Sequence, residues 1–374
     1  MNKSFRLLTV SGIDLRLHIT FPLILAWAAL QFGLMFGTFS GAIFGIVAIT
    51  LLFVLVTLHE LGHSYAALAF GVPVKQIILT PIGGVAQLMR MPEKPAQELI
   101  IAIAGPTVNI IIAILMAALA MGFGVDILTL LGGFFELSGT TFMTLFSYIF
   151  VSNIFLAIFN LLPAFPMDGG RILRALLAMR MDYARATSIA AGIGRVLAVG
   201  LSIYGLLNGN FFLIMIAIFI FSAATQEARS TRVRHHMQGY TVQQAFTTSA
   251  YRLEASFSLQ QAANMMTYSG QRDFAVVSEE QLVGFLPHAT LREALRTHPA
   301  HTSVSTLMLR DVHPVTPSTD IYTVQQRLLS EEMNALPVTT GNGQFLGLIT
   351  QQHIADLYRL VQTKPSIIPG PQSL

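Results

Sequence analysis

Between Leu17 and His59 the chain carries no Asp, Glu, Lys or Arg. From Leu99 to Pro163 the only charged residues are Asp126 and Glu136. An apolar helix needs about 20 residues to cross a bilayer. Both runs are longer than that, so each must hold at least one membrane-spanning helix, and an ordinary soluble fold is excluded. Composition agrees. Charged residues make up 11% of the chain, against about 25% in soluble domains, and mean hydropathy is +0.62. The chain has no cysteine, so thiol catalysis, thiolate metal ligation and disulfides are excluded too. The formal charge of +3 describes no single surface, and nothing in it points to a nucleic-acid partner.

Six apolar spans are expected, at about 18–37, 41–70, 98–123, 140–163, 186–207 and 209–227. The first follows MNKSFRLLTVSGIDLRLH and is expected to serve as an uncleaved anchor. Lys3, Arg6 and Arg16 precede it; Lys75, Arg90 and Lys94 fall in 71–97. Arg171, Arg174, Arg180 and Arg185 fall in 164–185, and Arg229, Arg232 and Arg234 follow the last span. The connection at 124–139 has no Lys or Arg. All the basic connections therefore lie on one side, which the positive-inside rule makes cytoplasmic. The expectation is a multi-pass protein of the cell's inner or plasma membrane with both termini inside. Arg195, within the fifth span, is expected to snorkel or to mark a later helix start.

The stretch VPVKQIILTPIGGVAQLMRM, within 71–97, reads as two short strand-like runs around a Pro-Ile-Gly-Gly break. Backbone of that kind at membrane depth needs cover from protein or a wet cavity, so a small hairpin or sheet beside the bundle is expected. After residue 228 the composition turns polar. DFAVVSEEQLVGFLP and ALPVTTGNGQFLGLIT are two versions of one strand–turn–strand pattern, with Gly284 and Gly347 in matching places. Such a repeat means two similar α/β units packed as a pair. The domain division is 1–228 and 229–374, with the two copies at about 238–300 and 307–363.

Within the second span lies TLHELGHSYAALAFG. Residues four apart on a helix share a face, so His59 and His63 can bind one metal ion. Glu60 beside them can take a proton from the water that the ion activates. Zinc is the usual ion for two histidines plus an oxygen ligand. Ionisable groups inside a span are costly and mark function. A third ligand is needed, and the candidate is Asp168 in NLLPAFPMDGGR, at the cytoplasmic end of the fourth span. There Pro163 and Pro166 break the helix, and Gly169–Gly170 permit a tight turn that aims the carboxylate into the bundle. The alternative for Asp168 is a solvated loop carboxylate. Topology puts Asp126 and Glu136 on the opposite face. Asn109, in AGPTVNIIIA of the third span, is a buried amide that must find a partner. It can hold substrate, donate to an oxyanion or join two helices.

HELGH in one span, AGPTVN in the next and N-L-L-P-x-F-P-x-D-G-G-R after another together resemble the intramembrane zinc metalloproteases of the site-2 protease family. The C-terminal repeat resembles a pair of CBS modules, which one branch of that family carries. The two resemblances cover about 1–228 and 230–363. They imply a polytopic α-helical membrane protein with about six transmembrane helices, a small membrane-associated β element and a cytosolic α/β CBS pair. They also imply one catalytic zinc ion held by His59, His63 and Asp168, with Glu60 as general base. Asn109 and Asn160 match positions that assist substrate handling. Residues 77–87, with Gly83 and Gly84, match a membrane-edge strand that holds substrate extended, in line with β-augmentation. The implied substrate is a membrane-anchored protein in the bilayer, cut within or near its transmembrane segment, with the CBS modules regulating access or assembly and joining two copies into a homodimer.

Some CBS pairs bind adenine nucleotides through G-h-x-[ST]-x-x-D. The second copy here keeps Thr350 but has His353 in place of the Asp, and the first copy has neither. This favours a dimerising or gating module without a ligand. Two other functions were weighed. A CBS-regulated membrane transport protein would use intramembrane His and Asp for ions. It has no use for Glu60 between two metal-binding histidines, and the spans show no inverted repeat. An inactive protease-like scaffold would not need the intact set of Glu60, His59, His63 and Asp168.

Overall fold

The structure, a computed structural model, describes residues 4–81, 83–88, 94–135, 139–237, 239–331 and 333–363. Lys3, Arg90 and Glu136 lie outside them. The chain forms two compact units, Met1–Arg229 and Ser230–Leu374.

The first unit opens with a hairpin, β1 (Ser4–Val10) and β2 (Ile13–His18). No strands are expected from the sequence in this stretch, which precedes the expected anchor helix. Val10 faces Ile13 across a two-residue turn, and both turn residues, Ser11 and Gly12, have positive φ (49° and 81°). Such turns match the twist of paired strands. The expected element at 71–97 is β3 (Val74–Thr80) and β4 (Gly83–Leu88). The four strands make one sheet in the order β1-β2-β3-β4, with β2 parallel to β3 and the other pairs antiparallel. β4 is therefore an edge.

Among the described residues five helices are long and apolar enough to cross a membrane, rather than the six expected. They are α2 (Phe39–Ala69), α3 (Pro95–Gly122), α5 (Phe142–Asn160), α7 (Tyr183–Leu207) and α8 (Phe211–Met237). The expected first span is a shorter apolar helix, α1 (Phe21–Phe36). At 1.5 Å per residue it runs about 24 Å, less than the roughly 30 Å of hydrocarbon, because it starts only after Thr20, with Pro22 in its first turn, and stops at Gly37, whose φ is 63°. Two short helices fill connections that read as loops: α4 (Ile127–Phe135) and α6 (Asp168–Ala178). α7 starts at Tyr183, where Asp182 caps it by accepting from the amides of Ala184 and Arg185. It therefore starts before residue 186, not after, and Arg195 lies midway along the helix, about 18 Å from its start.

α1 and α2 touch backbone to backbone. A Cβ on Gly45 would lie 2.9 Å from the carbonyl carbon of Ala28, and one on Gly41 would lie 2.6 Å from the carbonyl oxygen of Phe32. Small residues permit such approach where lipid supplies no hydrophobic drive between helices. Phe32, Phe44 and Tyr148 close the packing beside it.

In the second unit, β5 (Arg252–Glu254), β6 (Phe274–Ser278) and β7 (Gln281–Leu286) form one sheet. β8 (Ala335–Thr339) and β9 (Phe345–Thr350) form another. Helices α9 (Leu259–Ser269) and α10 (His288–Thr297) accompany the first copy. α12 (Ile321–Ser330) and α13 (Gln351–Thr363) accompany the second, and a short α11 (Val304–Leu307) lies between. Each copy pairs with the other's linker. Thr247 and Leu348 exchange backbone hydrogen bonds, and so do Phe285 and Leu309. Gly284 and Gly347 make this possible, since a Cβ on Gly284 would strike Met308 and crowd the Leu309 carbonyl, and one on Gly347 would strike the Thr247 carbonyl. Ala275, Val277, Phe285, Ala335, Phe345 and Leu348 form one shared core.

Replacing Gly45 by Val is expected to force α1 from α2 and to cost about 1–3 kcal/mol by overpacking. Thermal unfolding in detergent micelles measures this. Gly122→Ala, whose Cβ meets open space, is expected to leave the transition unchanged.

Candidate metal centre

α2 presents His59 and His63 one turn apart, both buried. α6 delivers Asp168 from its first turn. The chain reaches it through Leu161–Met167 after α5 ends at Asn160. Gly169 and Gly170 serve here through close approach rather than through an unusual φ. A Cβ on Gly169 would strike the carbonyl oxygens of Leu161 and Leu162, and one on Gly170 would lie 2.6 Å from the Phe165 nitrogen. The start of α6 thus seats directly on the end of α5, and the carboxylate turns inward.

The ligand atoms converge. Asp168 Oδ2 lies 3.1 Å from His59 Nε2 and 3.0 Å from His63 Nε2, and the two Nε2 atoms are 3.0 Å apart. The remaining polar atoms fix the protons. His63 Nδ1 lies 2.6 Å from the Ile101 carbonyl oxygen, which can only accept, so Nδ1 carries the hydrogen. His59 is fixed by a longer chain. Asn153 Nδ2 donates to the Asn109 carbonyl at 2.7 Å, which settles which end of Asn153 is the oxygen. That oxygen accepts from Asn109 Nδ2 at 2.7 Å. Asn109 Oδ1 is left to accept from His59 Nδ1 at 2.5 Å. In their neutral form both imidazoles therefore point an unprotonated Nε2 at a carboxylate oxygen. Three lone pairs at this spacing repel one another, and a cation relieves that repulsion. Gly105 makes the room, since a Cβ there would lie 2.7 Å from His59 Nε2 and nearer still to His63 Nε2. Two imidazoles and a carboxylate suit zinc, and outer partners on Nδ1 are the usual support for metal-bound histidine. Arg171 Nη1 stands 3.7 Å from the other Asp168 oxygen.

Glu60 sits beside this cluster under the edge strand. Ala86 N–H donates to Glu60 Oε2 at 3.2 Å. A Cβ on Gly84 would lie 2.6 Å from Glu60 Cγ, so Gly84 is required by space. Gly83 is required by its φ of 139°. Asn109 has its amide committed to His59 and Asn153. Asn160 donates to the Leu156 carbonyl one turn back on its own helix, at 3.0 Å. In the second unit the Thr350 hydroxyl accepts from the His353 amide at 3.1 Å at the start of α13.

Asn153, Ile101 and Gly105 were not singled out from the sequence. Asn153 was open to the same reasoning as Asn109, an amide inside an apolar helix in need of a partner. The Ile101 carbonyl and the Gly105 gap carry no signal in residue type.

A buried His–His–Asp cluster with an adjoining glutamate, its two histidines on a helix of membrane length, defines an intramembrane metallopeptidase. Residues 47–201 match the model of peptidase family M50, and residues 304–359 match that of the CBS domain. The chain is 33% identical to a zinc metalloprotease of Methanocaldococcus jannaschii over 98% of its own length and 99% of that protein. It is 29% identical to a Synechocystis homologue named for the same activity, over 97% of each. The solved site-2 protease from Methanocaldococcus jannaschii is 42% identical, covers 60% of this chain and 95% of its own, and superposes with a TM-score of 0.46. The chain belongs to peptidase family M50, the site-2 protease family of zinc metalloendopeptidases.

Two substitutions on α3 test the geometry. Asn109→Leu strands His59 Nδ1 and is expected to weaken zinc binding by roughly 10–100-fold. Gly105→Ala is expected to abolish it. Competition with a chelating dye measures both, with Thr107→Ala on the exposed face of α3 retaining wild-type affinity.

Proposed function

We propose that the chain cuts peptide bonds within or near the transmembrane segments of membrane-anchored proteins and releases a cytosolic fragment. The observation that carries this reading is the convergence of His59, His63 and Asp168 beside Glu60. In this reading those three residues hold zinc and Glu60 is the general base. Zinc, when bound, polarises the scissile carbonyl and lets water lose a proton near neutral pH. Glu60 takes that proton and later gives it to the leaving amine. The Ile101 carbonyl and Asn109 hold both imidazoles in the Nδ1–H form, so their Nε2 lone pairs stay directed inward. Asn109 acts through His59 rather than on substrate.

A helical substrate hides its carbonyls in its own hydrogen bonds and must unwind before water can attack. β4 offers an unwound segment a partner, because it is an edge strand with Ala86 N–H turned toward Glu60. Gly83 and Gly84 let that edge lie against α2. The basic connections support an orientation with both termini in the cytoplasm. The CBS unit is proposed to regulate access or assembly and to join two copies of the chain. Thr350 caps α13 and His353 stands where nucleotide-binding copies have Asp, which favours a module without a nucleotide.

Glu60→Gln is expected to cut a co-expressed membrane-anchored substrate 10²–10⁴-fold more slowly than wild type, about what general acid–base catalysis supplies. Chelator treatment of the wild-type protein is expected to give the same loss, reversed by added zinc. Equal cleavage by Glu60→Gln and wild type would sink the protease reading. A reporter fused at the C-terminus is expected to lie in the cytoplasm; exposure on the outer surface overturns the orientation.

A further inference from the structure

The buried ion cluster around Arg174 has no part in the chemistry so far described. Arg174 is 2% exposed and Glu98 3%. Arg174 Nε donates to Glu98 Oε1 at 2.9 Å, and Nη2 donates to the same oxygen. Nη1 donates to Glu227 on α8. The guanidinium also lies 4.9 Å from the Phe165 ring and 5.0 Å from the Tyr183 ring. One cation thus ties α6 to α3, to α8, to the start of α7 and to the segment that leads into Asp168.

Burying such charges is expensive, and apolar side chains of similar size would hold helices together as well or better. What an arginine fork adds is direction. The direction matters because of what else α3 carries. Glu98, Ile101, Gly105 and Asn109 step along one face of α3 at helical spacing. Ile101 and Asn109 set the two imidazoles, and Gly105 admits them. Glu98 sets α6 on that same face, and α6 carries Asp168 six residues before Arg174, about 9 Å along the helix.

We propose that Arg174 is a positioning residue for the metal centre, with Glu98 and Glu227 as its anchors. It fixes where α6 lies along α3 and so brings Asp168 Oδ2 to the two Nε2 atoms. This rests on the reading of His59, His63 and Asp168 as the zinc ligands. The effect is on metal affinity and ligand geometry, so it is readable without substrate.

The test uses the full chain in detergent micelles, with zinc affinity from chelator competition and the visible absorption of the cobalt-loaded protein. Arg174→Met leaves Glu98 buried without its cation, so the paired variant Glu98→Gln/Arg174→Met is measured beside it. Both are expected to bind zinc roughly 10–100-fold more weakly and to shift the cobalt bands. Arg174→Lys keeps the charge, loses the fork and is expected to remain weakened. Wild-type affinity and spectrum in the paired variant overturn the proposal, since Arg174 would then only neutralise Glu98. Full recovery by Lys also overturns it, since charge alone would suffice. The underlying site is judged separately. Asp168→Ala is expected to lose zinc more severely than any of these, and unchanged zinc binding there would show that the ligand assignment itself is wrong.

Discussion

Inside hydrocarbon a polar group has no water to turn to, so each must be paired within the protein. The first unit uses that necessity to write the proton pattern of its metal centre. Two backbone carbonyls, which can only accept, start the sequence. The Ile101 carbonyl fixes His63 directly, and the Asn109 carbonyl fixes His59 through Asn153 and the Asn109 side chain. Neither imidazole has a second way to place its hydrogen without breaking a buried hydrogen bond, which costs about 1–3 kcal/mol. In the neutral imidazoles the inward Nε2 lone pairs follow from helix packing.

The same packing has a steric side. α3 lies so close to α2 that a Cβ on Gly62 would be 2.7 Å from Val108 Cγ2, and Gly105 leaves the imidazoles their space. Gly169 and Gly170 do the same between α6 and the end of α5. None of these four glycines has a positive φ. Their role is to let backbones and ligands meet at distances that a methyl group would forbid. The centre is therefore assembled from four helices held at short range, with the directional bonds of Asn109, Asn153 and Arg174 setting the register.

Much of this was legible in the sequence because lipid makes charge and amides conspicuous. His59, Glu60 and His63 stand out from uncharged surroundings, Asp168 follows a Pro-broken helix end, and the structure brings the three ligand candidates together. The strand pair at 74–88 was legible from its β-branched runs around Gly83–Gly84. The N-terminal hairpin is not among the expected elements, although RLLTVSGIDLRL has a Ser-Gly turn between its two strands. The expected first span falls short because its helix starts only after Thr20, with Pro22 in the first turn, and stops at Gly37, whose φ is positive. Asn160 looked functional by motif, yet it bonds to its own helix, while Asn153, one amide among apolar residues of α5, holds Asn109. Arg174 read as a topological marker on the cytoplasmic side. Only packing reveals that it is buried between two carboxylates, since charge in a connecting segment is by default solvated.

Hydrolysis within a membrane needs an exposed carbonyl and a base held near it. The sheet and α2 meet both needs at one point. Alternate residues of a strand direct their amides to the same side. Ala86 sends its N–H to Glu60 rather than to β3, so Gly84 shares that side. The groups that would pair with an incoming segment are therefore the ones that lie over the base. In the proposed function, a segment added to β4 would displace the Ala86–Glu60 hydrogen bond and set its own carbonyls beside the carboxylate that the bond had held. On that proposal, binding in extended form and freeing of the base would be one event. This explains why the edge strand needs glycine at both Gly83 and Gly84: one gives the backbone its turn, and the other lets it lie against the helix that carries Glu60.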